Sequence, residues 1–312
     1  MKRFKNILYF ADGALEKNHA LERAVQLARS NGARLTVIDV LEKIRSSPDV
    51  ERVFGTDINQ ILRDRRQQDL DKLVDACDRV DMPIHTRVAT GIAFVQVIRT
   101  VMVNGHDLLI KAAKPPQGLS ERVLGSTDMH LLRKCPCPVW IDRPNAAFPY
   151  ASVLAAVELE AEQGEGCDRM IMDLASSLAQ RESARLDVVH AWEMEGESLL
   201  RDAGSRVSRT EFEHLGEITR NKHKRLFDAL LSDYAMKSED KTVHLIKGEA
   251  APTIRSLSRD LESDLVVMGS IGRTGIPGLI IGNTAEEVMQ NIDASILAIK
   301  PAGFVSPVAL EE

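Results

Sequence analysis

The chain carries the same unit twice. Thr90-Gly91, Asp107-Leu108, Gly125, Thr127 and Pro144 are matched by Lys247-Gly248, Asp264-Leu265, Gly282, Thr284 and Pro301, every pair 157 positions apart with no gap between them. Nearer the N-terminus, Ala33-Arg34-Leu35 matches Ala184-Arg185-Leu186 at an offset of 151, so a few residues were inserted or lost between the blocks. A unit of about 150 residues is too long for a solenoid repeat and has the size of a domain.

Within each unit, short apolar runs alternate with amphipathic segments. In the first, strands are expected over residues 6–11, 34–41, 84–89, 107–112 and 138–142, and helices over 18–31, 57–79, 94–104 and 127–134. Two prolines and a pair of small residues make 143–150 a linker. The second unit has strands over 152–157, 185–192, 242–246, 265–268 and 296–299, with helices over 168–181, within 205–236 and over 284–292. Parallel strands joined by right-handed helical crossovers predict an α/β, doubly wound architecture. Domains are placed at 1–146 and 147–303. The segment 304–312, with Pro307 and a Glu311-Glu312 end, is expected to be a loose tail.

The 312 residues are 44% hydrophobic and 28% charged, an ordinary soluble composition. A net charge of −6 argues against nucleic acid or an anionic membrane as the main partner. The apolar run 7–11 is too short for a signal-peptide core and meets Asp12 at once, and no apolar run reaches membrane-spanning length, so no membrane span and a cytoplasmic location are expected. Cysteines at 77, 135, 137 and 167 form no disulfide framework. Cys135-Pro136-Cys137-Pro138 lacks the two-residue spacing of zinc or thioredoxin-like motifs and reads as structural cysteines at the start of a strand. Glu211 and His214 lie one helical turn apart with His223 beyond them. That spacing differs from His-Glu-x2-His and is explained by a charged, solvated face, so no metal site is expected.

The stretch Met268-Gly269-Ser270-Ile271-Gly272-Arg273-Thr274-Gly275, continuing to Gly282-Asn283-Thr284, sits between the apolar run 265–268 and a helical pattern. Glycines here fall where a strand's carboxyl end meets a helix N-terminus. Unpaired N–H groups and the positive dipole end make that junction an anion site in open α/β sheets. Gly269, Gly272 and Gly282 can take positive φ and let backbone N–H groups approach phosphate oxygens. Asn283 and Thr284 add donors, and Glu287 can complete a capping box with Thr284.

The pattern Gly-x2-Gly-x9-Gly at 269, 272 and 282, ending the fourth strand of a five-stranded α/β unit, resembles the universal stress protein family. Two such units, with Gly282-Asn283-Thr284-Ala285-Glu286 in the second and Arg133-Lys134-Cys135-Pro136 closing the first, resemble its tandem-domain branch, and the resemblance covers nearly the whole chain. It implies two tandem doubly wound five-stranded parallel sheets of the adenine nucleotide alpha hydrolase-like type. It also implies ATP, with or without magnesium, lying across the strand ends with its phosphates in the glycine loop. Gly269, Gly272, Arg273, Gly282, Asn283 and Thr284 would face ribose and phosphates, Met268 completes the set, and Glu158 stands where binding members have a first-strand Asp.

The first unit departs from the pattern. It has Ala112 and Pro115 where the second has Gly269 and Gly272, and Pro115 lacks an N–H; Asp12, Gly125, Ser126 and Thr127 survive, the last three read as helix capping. Nucleotide is therefore expected in the second unit alone. The Walker sequence is absent, and although His190 and Glu158 can approach the site, no catalytic residue is assigned and at most weak ATPase activity is expected. A reading of another class remains open: a scaffold, or a binder of an apolar or acyl ligand in a cleft between the units framed by the long helices. Phe212, Leu215, Ile218, Leu226 and Phe227 on the second of those helices read as ordinary core. The resemblance further implies pairing of the units through their final strands, 139–141 and 296–299, and leaves homodimerisation open.

Overall fold

The structure, a computed structural model, describes residues 3–44, 57–77, 82–114, 124–159, 167–194, 196–197, 208–270 and 282–310. The first half runs β1 (Asn6–Phe10), α1 (His19–Asn31), β2 (Arg34–Leu41), α2 (Ile58–Asp75), β3 (Ile84–Thr90), α3 (Ala93–Asn104), β4 (Leu108–Ala112), α4 (Ser126–Lys134) and β5 (Val139–Asp142). The second runs β6 (Ser152–Ala156), α5 (Asp168–Glu182), β7 (Arg185–Trp192), α6 (Arg209–Leu231), β8 (Val243–Lys247), α7 (Ala250–Asp260), β9 (Leu265–Gly269), α8 (Asn283–Asn291) and β10 (Ser295–Ile299).

Local chemistry explains where the helices begin and end. The Asn18 side chain accepts the Leu21 N–H to open α1, and Gly32 in the left-handed region closes it. Ser208 and Glu211 form a full capping box at the start of α6. Helix α6 lies within the expected 205–236, and a 3-10 turn, Ser232–Tyr234, follows it. Helix α7 is the third helix of the alternation, for which the sequence set no bounds; Ala251, Ile254 and Ser258 are buried and Ala250, Leu257 and Leu261 pack against the core.

The strands make one ten-stranded sheet in the order β3-β2-β1-β4-β5-β10-β9-β6-β7-β8. Each half is parallel and doubly wound. The two five-stranded sheets join edge to edge where β5 and β10 pair antiparallel, Ile296 facing Ile141 and Leu297 facing Trp140, at the final strands whose pairing the resemblance implies. Helices α1, α2, α5 and α6 cover one face, where Leu21, Leu70, Leu174 and Phe227 share a core with Ile7 and Tyr9. Helices α3, α4, α7 and α8 cover the other, where Val97, Leu131, Ile254 and Val288 pack with Leu8 and Phe10. The alternation along β1 is what a strand buried on both faces requires.

Two features bind the halves beyond the strand pairing. Arg143, just after β5, donates to the Ile292 carbonyl beyond α8 at 2.9 Å, while Lys300, just after β10, donates to the Leu132 and Arg133 carbonyls at the end of α4, at 2.6 and 3.2 Å. The 157-residue offset relates these two cations, so each half lends a cation to the negative end of the other's last helix. Arg23 on α1 is 1% exposed and reaches Asp142 and Glu182, each at 3.0 Å, with its guanidinium 3.4 Å from the Tyr150 ring. Asp142 also accepts from Tyr150 and Ser295.

The described part of the tail is docked rather than loose. Arg99 on α3 donates to the Ala309 carbonyl at 2.8 Å, Val308 packs against the α3/α4 core, and the Lys300 ammonium lies over the Phe304 ring. Among the described residues no helix is long and apolar enough to cross a membrane.

Removing Arg23 strands two buried carboxylates. Arg23→Met is expected to cost about 3–5 kcal/mol in urea unfolding. Burial pushes the Lys300 ammonium down to about 8, against an ordinary 10.5. The unfolded chain therefore holds that proton more tightly between those values, and wild type should gain stability relative to Lys300→Met as pH rises from 8 to 10, by up to about 3 kcal/mol, read as paired unfolding curves across the window.

Candidate functional site

The chain leaves β9 at Gly269 and enters α8 at Gly282, and the two ends are tied together. The Gly282 N–H donates to the Ser270 carbonyl at 3.2 Å, while Ser270, fully buried, donates from its N–H and its hydroxyl to the Ile299 carbonyl at 3.0 and 3.1 Å. The intervening 271–281, with Gly272 and Arg273, lie outside the described residues. The two flanking residues, Ser270 and Gly282, are thus tied to each other and, through Ile299, to β10.

Helix α8 begins differently from the sequence expectation. Gly282 is the N-cap, among the described residues no side chain caps it, and Asn283 and Thr284 are exposed within the first turn. Thr284 and Glu287 make no capping box; Glu287 pairs with Arg255 on α7 at 3.2 Å. Neither Gly269 nor Gly282 uses positive φ, Gly282 lying at −62°. Gly269 ends β9, where a Cβ would meet only the Cys167 Cβ at 3.9 Å, and Gly282 opens α8. Met268 is buried beneath it.

Across the strand ends, the loop after β6 is held by Asp168, whose carboxylate accepts the Glu158 and Leu159 N–H groups at 2.9 and 3.0 Å. Glu158 itself is exposed. On β7, His190 is not a lone histidine. Its Nδ1 lies 3.1 Å from the Val157 carbonyl and its Nε2 lies 2.8 Å from Nδ1 of His223 on α6. A carbonyl only accepts, so Nδ1 of His190 carries hydrogen and neutral His190 receives the His223 proton at Nε2. Trp192 stacks on His223. Glu211, meanwhile, is bound to Ser208, and among the described residues no group of three His, Cys, Asp or Glu is placed to hold a metal ion.

The first half has the same backbone and opposite chemistry. At the place of Met268 stands Lys111, 1% exposed, with Nζ 2.7 Å from Asp128 and 3.0 Å from Asp12; Lys114 also reaches Asp12, at 3.1 Å. Asp128 occupies the place of Ala285. The strand-end site of the first half is thus filled from within by an ion cluster. Asp39 and Arg66, 3.0 Å apart, stand where the second half has His190 and His223. Burial pushes the Asp39 carboxyl up, opposed by the Val40 and Gly13 N–H groups and by Arg66. The sequence signal for all of this was present: Lys111 interrupts the apolar run Leu108-Leu109-Ile110, and the offsets align the paired positions.

Other expectations fail on geometry. Leu215 and Ile218 are 41% and 52% exposed, and Phe212 is half-buried, because the N-terminal part of α6 projects past the sheet; Phe227 is core and Leu226 packs against it. Helices α2 and α6 sit toward opposite ends of the sheet and frame no common cleft. The groove at the junction lies instead between α1 and α5, about 240 Å³, with Leu27, Leu174 and Leu178 beside Arg3 and Arg181. A larger hollow of about 710 Å³ adjoins Gly32 and Pro83, at the amino-terminal ends of β2 and β3.

The sequence profile of the universal stress protein family matches residues 3–143 and 149–300, one copy for each half. The chain belongs to the universal stress protein family. It is 27% identical to universal stress protein E of Escherichia coli K12 and 26% identical to that of Salmonella typhi, each alignment covering 100% of this chain and 99% of the relative. Among solved structures, a protein of unknown function from Pseudomonas aeruginosa PAO1 superposes with a TM-score of 0.67 at 23% identity, over 96% of this chain and 94% of that one. A universal stress protein from Archaeoglobus fulgidus DSM 4304 superposes with a TM-score of 0.60 at 14% identity, over 96% and 99%. These structures share the fold, so the tandem α/β architecture is that of the family.

The ion cluster of the first half makes a direct prediction. Lys111→Met alone should cost about 3–5 kcal/mol, because Asp128 is left as an unpaired buried charge. Adding Asp128→Ala, which installs the second half's pair, should recover most of the loss in urea unfolding.

Proposed function

We propose that this tandem universal stress protein binds ATP or a related adenine nucleotide in its second domain, and acts in the cytoplasm as a stress-response sensor or regulator with slow or no hydrolysis. The reading takes 1–146 and 147–303 as the domains. The observation that carries it is the uncapped N-terminus of α8 beside the pinned base of the 271–281 loop, which leaves first-turn N–H groups and a dipole end for phosphate. Gly269, Gly272, Arg273, Gly282, Asn283 and Thr284 would line the phosphates and ribose, with Met268 below and Glu158 across the strand ends; magnesium would accompany the phosphates. Each charge-assisted hydrogen bond contributes about 1.5–3 kcal/mol, so a few suffice for micromolar affinity after ordering costs. The first domain stays empty of nucleotide in this reading, since Lys111 and Asp128 already satisfy one another there.

A second reading is favoured by the groove between α1 and α5, whose leucines and two guanidinium groups suit an amphipathic anion such as an acyl carboxylate. Homodimerisation is compatible with either.

Calorimetric titration with ATP, ADP and AMP in the presence of magnesium separates them. Saturable ATP binding at one per chain, abolished by Gly272→Pro without a change in melting temperature, is the expected result. Absence of saturable binding, or binding indifferent to Gly272→Pro, overturns the nucleotide reading; binding of a fatty acid sensitive to Arg181→Ala would replace it.

A further inference from the structure

The segment Cys135-Pro136-Cys137-Pro138 joins α4 to β5 and takes no part in the proposed nucleotide site. Cys135 ends α4, donating its N–H to the Leu131 carbonyl at 3.0 Å, and then turns to an extended backbone, φ −69° and ψ 131°. Each cysteine precedes a proline, and that confines both to the extended region. The stiff segment holds the two sulfurs 3.5 Å apart, with Cys135 fully buried and Cys137 7% exposed.

Lys300 supplies the local charge. Its ammonium, 4% exposed, is fixed on the last carbonyls of α4, and so masks the negative helix end that would otherwise oppose a thiolate at Cys135. Burial pushes the Cys135 thiol up, but hydrogen bonds from the Cys137 S–H and N–H, together with the Lys300 ammonium, outweigh it and hold Cys135 below the ordinary thiol value. The bond to Cys135, burial and the neighbouring sulfur's charge push Cys137 well above it. Cys135 is thus the more acidic of the two thiols and the one that ionises first, with the Cys137 S–H donating to it. Cys77 is a contrast: its S–H donates to the Leu73 carbonyl and burial raises it.

We propose that Cys135 and Cys137 form an oxidisable dithiol site whose substrate is hydrogen peroxide and whose product is a Cys135–Cys137 disulfide. The Cys135 thiolate attacks one peroxide oxygen, the O–O bond breaks, and the leaving hydroxide is protonated to water. The resulting sulfenic acid is attacked by the Cys137 sulfur, which expels hydroxide, and the Cys137 proton converts that to a second water. In sum, two thiols lose two electrons and two protons, and one peroxide becomes two waters. The sulfurs need to close from 3.5 Å to about 2.05 Å. Burial limits the oxidant to a molecule near the size of water, and a dithiol reductant reverses the step. A bound metal cation is the less fitting occupant, because the buried ammonium already supplies positive charge beside the sulfurs.

The test is intact-mass and peptide-mass analysis of the full chain after exposure to excess hydrogen peroxide, with alkylation of remaining thiols. The expected result is a peptide containing both Cys135 and Cys137 that is lighter by two hydrogens, resists alkylation and is restored by dithiothreitol. Cys137→Ser should stop at a dimedone-trappable sulfenic acid on Cys135, and Lys300→Met should slow disulfide formation several-fold. Both thiols remaining alkylatable under a dose that oxidises the half-buried Cys167 overturns the proposal, as does sulfinic acid at Cys135 of the wild type without the disulfide. The first measurement uses wild-type protein, so it holds even if the variants fold poorly.

Discussion

The molecule turns on the antiparallel pairing of β5 with β10. A doubly wound half ends in a strand with one edge open, and an open apolar edge offers unpaired N–H and C=O groups to any other chain. Here the last strand of each half covers the other, so the only antiparallel pairing among the described residues lies at the centre of the sheet. Two parallel halves meeting this way are related by an approximate two-fold axis. That relation explains why Arg143 and Lys300 make reciprocal contacts with the far ends of α8 and α4, and why buried charge collects nearby. Arg23, Asp142 and Glu182 are tolerable in an interior because each carboxylate is paired and further hydrogen-bonded; Tyr150 and Ser295 supply the remaining bonds to Asp142.

Duplication has let the two strand-end sites diverge while the backbone stayed the same. In the second half the ground beneath the helix N-terminus is apolar, Met268 and Ala285, and the helix dipole faces outward unanswered by a side chain. In the first half a lysine and an aspartate take those two places and answer each other. The exchange is paired, since losing the lysine alone would leave Asp128 a lone buried charge. A similar paired exchange relates Asp39–Arg66 to His190–His223, keeping a strand-to-helix tether while replacing an ion pair with a hydrogen bond between two imidazoles.

Much of the fold was legible in the residues. The strands are nearly continuous apolar runs because they are buried on both faces, and the helices carry recognisable caps such as Asn18 and Ser208. Helix α7 received no bounds from the sequence although Ile254, Leu257 and Leu261 give it an apolar face, and the burial expected of Leu215 and Ile218 fails because the first turns of α6 are exposed. In the candidate site, Gly282, Asn283 and Thr284 were recognised as a helix start, yet the cap itself is Gly282 rather than a side chain, a distinction that depends on backbone angles. The Lys111 cluster was visible only as an odd charge in an apolar run.

By itself the sequence determined the duplication, the order of elements and the position of the glycine stretch, because periodicity and turn residues act over a few neighbours. Tertiary structure alone decided the antiparallel register in which β5 meets β10, that the tail docks on α3, that the first half's site is filled by its own ions and that two cysteines lie near a buried lysine. Those facts join residues far apart in the chain, as Lys300 is from Leu132, through contacts whose strength depends on burial and on distances of about 3 Å.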